Sequence, residues 1–392
     1  MYAEQATQEV GQEYILCTFD LGVCMKAFPL VWNNPVRYQK HIVLIGSFHV
    51  ACAYMKMIGK KMQGTGLGDI FLEAGLITSG SLHSVLAGTQ YAQAMTCHKT
   101  MLEALERLFL LEFLVTSNRS SLLDNLENAH KDVFGGLLET PSATTLAATC
   151  ANNALSSRMR EYSKFKQTVR NGDLGKTAML WLSYMDGIWL MLNMIHAVKV
   201  SNINLYCECL HRMADLFFSF DGQNYARYLS FFSVLLANVD DSHPGAIRLL
   251  KDGGVSVARS MIPGNRCPVD KTMEETFMKS AKSHGTYVET TLSMADMMPE
   301  SRGSTKHIDI RPSEVRKSEN NVSRTTAAIR SFMNPFDVAD HEKLYSLSSG
   351  APVSVPVEVD VLSAEKMGKA AKERFIRERL ETKIIYSNLS SE

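Results

Sequence analysis

A chain of 392 residues with 45% hydrophobic residues can bury a large core and is too apolar to be disordered throughout. Its 41 Lys and Arg residues are balanced by 41 Asp and Glu residues, which argues against a general nucleic-acid coat or a polybasic membrane binder. The eight cysteines include no CxxC pair and the N-terminal residues lack an apolar signal core, so we expect an intracellular protein, in the nucleus or the cytoplasm.

The first elements are predicted to alternate as strand, helix, strand, helix. "YILCTFD", residues 14–20, and "HIVL" at the start of "HIVLIGSFHV", residues 41–50, are nearly continuous apolar runs, and helical spacing follows each of them. Strands joined through a helix are usually parallel, so their carboxyl ends meet at one edge of the sheet. We therefore expect Asp20, after the first strand, to lie near His49, after the second, at the edge where open α/β sheets bind ligands.

A long helical region follows these strands. Apolar stripes at helical spacing predict helices over residues 90–114, 145–168, 176–198, 204–218 and 223–237. A third short strand is predicted at "VSVARS", residues 255–260, and a helix with acids in its first turn over residues 270–283. The predicted fold class is therefore mainly α with a small α/β part: short parallel strands near the N-terminus, followed by a large helical region.

One segment, Ala178 to Ile195, has the length and apolar character of a marginal membrane span. It carries Asp186 near its middle, and a charge at that depth is costly in lipid. We therefore predict a buried core helix and no membrane association.

The chain is predicted to divide into three parts. Residues 1–298 form the α/β start and the helical body. Apolar residues become sparse over 299–331, which predicts a flexible linker with room for one exposed helix. Residues 332–392 are expected to form a turn-rich segment followed by an amphipathic helix, whose apolar stripe includes Phe375, Ile376 and Leu380.

Two short motifs suggest chemistry but lack the required spacing. "GKKMQGTGLGD", residues 59–69, is rich in glycine, yet a phosphate-binding P-loop needs a preceding strand and a lysine where Thr65 stands. A turn between helices explains it better. "CECLH", residues 207–211, offers a zinc site only two ligands on one helix face, so buried thiols are the preferred interpretation.

The residues after the second strand leave two alternatives open. His49 and Cys52 share a helix face and, together with Asp20, make a conceivable metal or acid–base cluster. A histidine at a helix start is more often a structural hydrogen-bond partner. Glu274 and Glu275 similarly have an ordinary explanation, since acids early in a helix complement its dipole.

Several stretches together resemble a group of uncharacterised, transposon-derived proteins expanded in cnidarian and other invertebrate genomes. They are "TFDLGVCMKA", "LIGSFHVACAYMKMIGKKM", "SGSLHSVLAG", "NYARYLSFF", "VARSMIPGNRCPVDKTMEETFMKSAKS", "RPSEVRKS" and "NPFDVADHEKLYSLSSGAPV". The turn with an aspartate followed by Gly-Asp/Ser-Phe-His is also similar to a domain of unknown function in mobile elements. Together they cover most of the chain and carry little chemical information.

Descent from a transposase with a ribonuclease H-like fold would imply carboxylates that hold two divalent metals at strand ends. The resemblance then implies Asp20 and Glu274 as metal ligands, and Asp20, His49 and Glu275 as catalytic residues. Ser47 stands where the related domains have an acid, and it supplies no anionic oxygen. Mg²⁺ or Mn²⁺ would be the cofactor only if the chain is active.

Further departures from the group predict an incomplete copy. A Gly-rich stretch and an aromatic segment are expected after "AKSHG", yet Gly285 joins Thr286 directly, and no opening three-strand meander is visible. We therefore expect a mobile-element-derived, catalytically inactive protein whose partners are unknown; nucleic acid is suggested by resemblance only. The alternatives are an active metal-dependent phosphoryl-transfer enzyme and a helical module that binds partners through its C-terminal helix.

Overall fold

The structure is a computed structural model, and it describes residues 2–116, 144, 148, 153–258, 264–275, 312–353 and 361–381. A short helix α1 (Tyr2–Glu9) precedes the first strand. Strand β1 (Ile15–Phe19), helix α2 (Leu21–Asn33), strand β2 (His41–Ile45) and helix α3 (Ser47–Lys61) then follow in the predicted order.

The two N-terminal strands are paired in parallel, as predicted. Their register runs from Ile15 opposite His41 to Phe19 opposite Ile45. The last four residues of β2 are buried because helices cover them, which explains why that strand is apolar without alternation. Both strands end at the same edge, where α2 and α3 begin.

Helices form most of the remaining described residues, which confirms a mainly α fold with a small α/β part. The helices between β2 and the second sheet are α4 (Leu67–Glu73), α5 (Ser79–Leu86), α6 (Tyr91–Thr116), α7 (Asn153–Asn171), α8 (Gly175–Lys199), α9 (Ile203–Ser219), α10 (Gln223–Ala237), α11 (Val239–Ser242) and α12 (Ala246–Leu249). A turn over residues 250–254, kinked at Gly253 where φ is 111°, closes this series. Helix α7 is described from Asn153, and the predicted start at Thr145 lies outside the described residues.

The apolar helix α8 lies at the centre of this bundle. In the described part of the chain it is the one helix long and apolar enough to cross a membrane, and 56% of its most apolar window is buried within the protein. Asp186 is not isolated on it, since Lys166 lies 3.1 Å and Arg170 lies 2.7 Å from its carboxylate. These ion pairs join α7 to α8, and such contacts are typical of a helix in a protein core.

The predicted strand near residue 256 exists but belongs to a second sheet. Strand β3 (Ser256–Ala258) pairs in antiparallel fashion with β4 (Arg266–Pro268), and this pair is separate from the N-terminal sheet. Helix α13 (Val269–Met273) follows β4 directly. This connection brings α13 against β1 and α3.

The segment predicted as a flexible linker with room for one exposed helix, residues 299–331, contains one long helix in its described part. Residues 312–332 form α14 (Pro312–Phe332), a long helix that packs on α6. Its sparse apolar residues recur at helical spacing, so Val322 and Ile329 reach the core while the rest stays polar. Arg107 of α6 fixes the outer face with two 2.7 Å hydrogen bonds to Glu319. Residues 299–311 lie outside the described part, and the division into domains remains a prediction.

The C-terminal helix α15 (Val361–Phe375) packs on α9 and is followed by a π-helical turn over residues 376–381. The buried ammonium of Lys372 lies 2.8 Å from the carboxylate of Asp215 and donates to the carbonyl of His211. Ala364 is fully buried at the same contact. One face of α15, the helix through which the alternative interaction module would bind partners, is thus covered by α9.

Candidate functional site

The polar turn after β2 begins α3, and its shape depends on a residue far along the chain. Gly46 has φ −62° and ψ 120°, a conformation open to any residue. Glycine is nevertheless needed, because a Cβ atom at this position would overlap the carboxylate of Asp270. The turn in "GSFH" is therefore shaped to receive a side chain from α13.

Asp270 caps the N-terminus of α3. Its carboxylate accepts hydrogen bonds from the backbone N–H groups of Phe48 at 3.3 Å and His49 at 3.0 Å. Gly46, at the N-cap position itself, has no side chain to satisfy these N–H groups. Asp270 is only 7% exposed, so these bonds compensate the burial of its charge and place it at the positive end of the helix dipole.

The same carboxylate holds the imidazole of His49. Nδ1 of His49 lies 3.0 Å from Oδ2 of Asp270, and Nε2 lies 3.8 Å from a carboxylate oxygen of Glu274. The hydrogen bond that His49 donates to Asp270 raises the pKa of His49 above its ordinary value, although burial opposes the rise. The His49 side chain is 29% exposed, so its outer edge reaches solvent. An oriented imidazole of this kind has the local geometry of an acid–base pair.

Asp20 lies on the same edge but serves another helix. Its Oδ1 atom accepts a 2.8 Å hydrogen bond from the backbone N–H of Val23 and thereby caps α2. Its charge contributes to the raised pKa of His49, but less than Asp270 does. The structure therefore brings Asp20 into the neighbourhood of His49 while engaging one of its carboxylate oxygens elsewhere.

The two glutamates point to different partners. Glu274 lies beside His49, as given above, whereas the Glu275 carboxylate pairs with Lys271 at 3.4 Å. The ammonium of Lys271 also lies 5.1 Å from the centre of the Tyr91 ring. In the described part of the chain, no group of three or more His, Cys, Asp and Glu side chains has the arrangement of a metal site.

Ser47 is buried at the base of the turn. It is 4% exposed, and its hydroxyl faces Tyr206 of α9, whose pKa burial raises well above the usual range. A neutral hydroxyl suits this position, because a carboxylate would be buried close to the charge of Asp270.

Nearby thiols are poor nucleophiles. Burial raises the pKa of both Cys52 and Cys24 to about 12, so each thiol stays protonated at neutral pH. In "CECLH", Cys209 is buried and burial lowers the pKa of His211. The interpretation of that motif as part of a core helix agrees with these surroundings.

Asp270, the residue at the centre of this site, was not predicted from the sequence. The pattern "CPVDKTMEET" indicated a helix start, and an acid there was explained by its own helix. No local signal connects Asp270 with Gly46, because the contact depends on the β3–β4 hairpin that precedes α13.

Together, these features define a mainly helical protein in which a buried carboxylate and a histidine join a two-stranded parallel sheet to the helical body. The chain belongs to the family described as a domain of unknown function, DUF8702, which it matches over residues 1–386. No curated protein and no solved structure matches the chain.

Proposed function

We propose that this chain is a mobile-element-derived protein without phosphoryl-transfer activity, and that its strand-end polar residues serve to join helices to the sheet. One observation carries the proposal: the carboxylate of Asp270 is used by two backbone N–H groups and an imidazole. A carboxylate with three internal donors is a structural joint, and a metal ion would have to displace those donors.

The other expected metal ligands support the same conclusion. A two-metal phosphoryl-transfer site needs several anionic oxygens that converge on the ions. One oxygen of Asp20 caps α2, Ser47 is neutral and buried, and Glu275 pairs with Lys271. The residues present therefore fit a pair of Mg²⁺ or Mn²⁺ ions poorly.

Descent from a mobile element rests on the sequence resemblance alone. The segments that carry it include both strand ends, "TFDLG" and "LIGSFHV", where the expected acid is replaced by Ser47. Loss of that acid and the retention of the capping residues are what we expect when a catalytic site decays and the fold persists.

A second candidate function is an active metal-dependent enzyme that uses Asp20, His49 and a glutamate. The observation in its favour is the oriented imidazole, whose Nε2 atom is directed toward Glu274 and is close to solvent. In that case Asp20 and Glu274 would hold the ion, and His49 would transfer a proton at Nε2. Mg²⁺ prefers oxygen ligands, so the imidazole compensates poorly for the acid missing at position 47.

A third role, as a helical interaction module, would have to use surfaces other than the inner face of α15. That face is occupied by α9 within the same chain. The outer face of α15 remains available and is polar, with Lys369 and Glu373 exposed.

The test is a nicking assay with purified full-length protein, supercoiled DNA and either Mg²⁺ or Mn²⁺. We expect no nicking above the level of buffer from the wild type, Asp20→Ala or His49→Ala. Asp241→Ala, which removes an exposed carboxylate away from the site, is the matched control. Robust nicking by the wild type and the control that disappears in Asp20→Ala would overturn the proposal in favour of the enzyme.

A further inference from the structure

A cavity of about 500 Å³ lies where α3 ends, at the glycine-rich turn that leads to α4, with α5 as its opposite wall. The turn is residues 62–66, and it is the motif that resembled a phosphate loop without matching its spacing. The structure places a helix before it, so it is a turn between two helices, as predicted. The volume of the cavity is within the range found for small-molecule binding sites.

The lining of the cavity is amphipathic. The apolar residues that line it are Met62, Leu67, Leu82, Leu86 and Ala87; Leu82, Leu86 and Ala87 are partly exposed, whereas Met62 and Leu67 are buried beneath them. The polar lining consists chiefly of Lys56, Lys60, Gln63 and His83, all of which are exposed. Such a surface offers an apolar wall to one end of a ligand and cationic groups to the other.

The lining of the cavity carries more positive than negative side chains, which favours an anionic ligand. Lys56 and Lys60 lie one helical turn apart on the same face of α3, and like charges at this spacing repel each other. The ammonium of Lys60 donates one hydrogen bond to the carbonyl of Phe220, which leaves its other donors for a ligand. Asp69 is the single acid in the lining, and Ser348 donates to its carboxylate at 2.6 Å.

Leu347 and Ser348, which follow α14 in the chain, hold the turn in place. Gly64 and Gly66 have φ of +79° and +88°, which favour glycine, and a Cβ atom on Gly66 would meet the backbone nitrogen of Ser348 at 2.6 Å. The N–H of Leu347 donates to the carbonyl of Thr65 at 2.9 Å. A site whose walls are fixed before the ligand arrives loses less entropy on binding.

We propose that this cavity binds a small organic phosphate, in which a doubly charged phosphate group contacts Lys56 and Lys60 and an apolar or aromatic group contacts the leucines. Two ammonium groups one turn apart suit a divalent anion better than a single carboxylate. The apolar wall adds affinity for a ring or chain that inorganic phosphate lacks. This binding site is independent of the joint at Asp270.

The proposal is tested by isothermal titration of the full chain with 1-naphthyl phosphate, beside 1-naphthol and inorganic phosphate. We expect saturable binding of 1-naphthyl phosphate, and weaker binding of each of the two halves. Lys56→Ala should weaken binding by about tenfold, because a charge-assisted hydrogen bond is lost, and Lys56→Glu should abolish it. Lys56 is exposed, so both variants should fold, which a thermal melt checks.

Lys26→Glu is the matched control, because it reverses an exposed helical lysine on α2, outside the cavity lining. It should bind 1-naphthyl phosphate as the wild type does. Absence of saturable binding, equal affinity for 1-naphthol, or an affinity that is the same in Lys56→Glu as in Lys26→Glu would each overturn the proposal.

Discussion

The carboxylate of Asp270 lies 3.0 Å from the imidazole Nδ1 of His49, although 221 residues separate them in the chain. The same carboxylate accepts the first N–H groups of α3, so one side chain fixes both the direction of that helix and the orientation of the ring. The joint therefore connects the second sheet, through α13, to the edge of the first.

Removing this carboxylate should weaken the whole fold. Asp270→Ala leaves two buried backbone donors and an imidazole without their acceptor, and we expect a loss of about 2–4 kcal/mol in the free energy of unfolding. Chemical denaturation measures the loss. Asp241→Ala, at an exposed position, should change stability by less than about 0.5 kcal/mol. Equal stabilities of the two variants would show that Asp270 has no structural role.

The close approach of Gly46 predicts a coupled pair of substitutions. Gly46→Ala places a methyl group in the space of the Asp270 carboxylate and should therefore destabilise the protein. The backbone conformation of Gly46 is one that alanine also adopts, so the steric clash is the only expected cost. The Asp270→Ala background removes the carboxylate but keeps a Cβ atom 2.8 Å from the one added at position 46, so the same substitution should cost less there but still destabilise the protein. A double-mutant cycle by chemical denaturation gives the coupling.

Gly80→Ala is the control for that cycle. It lies in α5, and a Cβ atom there would meet nothing within 4 Å, so the substitution should be neutral or slightly stabilising. Additive effects of Gly46→Ala and Asp270→Ala would contradict the packing described for this turn.

Local sequence patterns were sufficient for the elements around this joint. The apolar runs of β1 and β2 and the helical spacing of α3 depend on neighbouring residues, and their parallel pairing follows from the intervening helix. The role of Asp270 depends on tertiary structure, since its neighbours "CPVD" resemble any helix start. For α14, composition predicted a linker with room for one exposed helix: most residues of the helix are polar, and four of its positions are buried.

Buried His98 predicts loss of stability in acid. Its ring is fully buried in α6 with Nδ1 2.8 Å from the Tyr184 hydroxyl, and burial lowers its pKa to about 4. In the unfolded chain His98 is protonated as the pH falls below about 6.5, whereas in the folded chain it is protonated only below about pH 4. Stability should therefore fall as the pH falls through this window, by about 3 kcal/mol for this residue.

The contribution of His98 can be isolated by comparing unfolding free energies at pH 7 and pH 4.5. His98→Gln should reduce the difference between the two pH values, because glutamine does not titrate. His83→Gln removes an exposed histidine and should leave the difference unchanged. An identical pH dependence in the wild type and His98→Gln would show that folding does not lower the pKa of this ring.

The docking of α15 should depend on the buried ion pair between Lys372 and Asp215. Lys372→Met keeps most of the side-chain volume but leaves the Asp215 carboxylate, 22% exposed, without its 2.8 Å partner. We expect faster amide hydrogen exchange throughout residues 361–375, by about tenfold or more, because α15 detaches more often. Lys369→Met, three residues away and 64% exposed, should leave exchange unchanged. Unchanged exchange in Lys372→Met would contradict a role for this pair in docking.

The sequence predicted only part of the candidate site, because the rest depends on contacts between residues far apart in the chain. The strand ends identified the correct edge and brought attention to Asp20 and His49. Which atoms each carboxylate binds depends on caps and on side-chain packing, and these follow from residues far apart in the chain. The resemblance implied Asp20 and Glu275, together with His49, as catalytic residues, and the structure gives Asp20 and Glu275 the partners Val23 and Lys271.

The central claim is that the acids at this edge hold helices and do not hold metal, and a divalent-metal titration followed by thermal unfolding tests it most directly. Ligands that bind the folded state must raise its melting temperature. We predict that Mg²⁺ and Mn²⁺ give no more than the change seen with sodium chloride of equal ionic strength, in the wild type and in Asp20→Asn alike. A saturable rise in the melting temperature of the wild type that is lost in Asp20→Asn and in Glu274→Gln would contradict the claim.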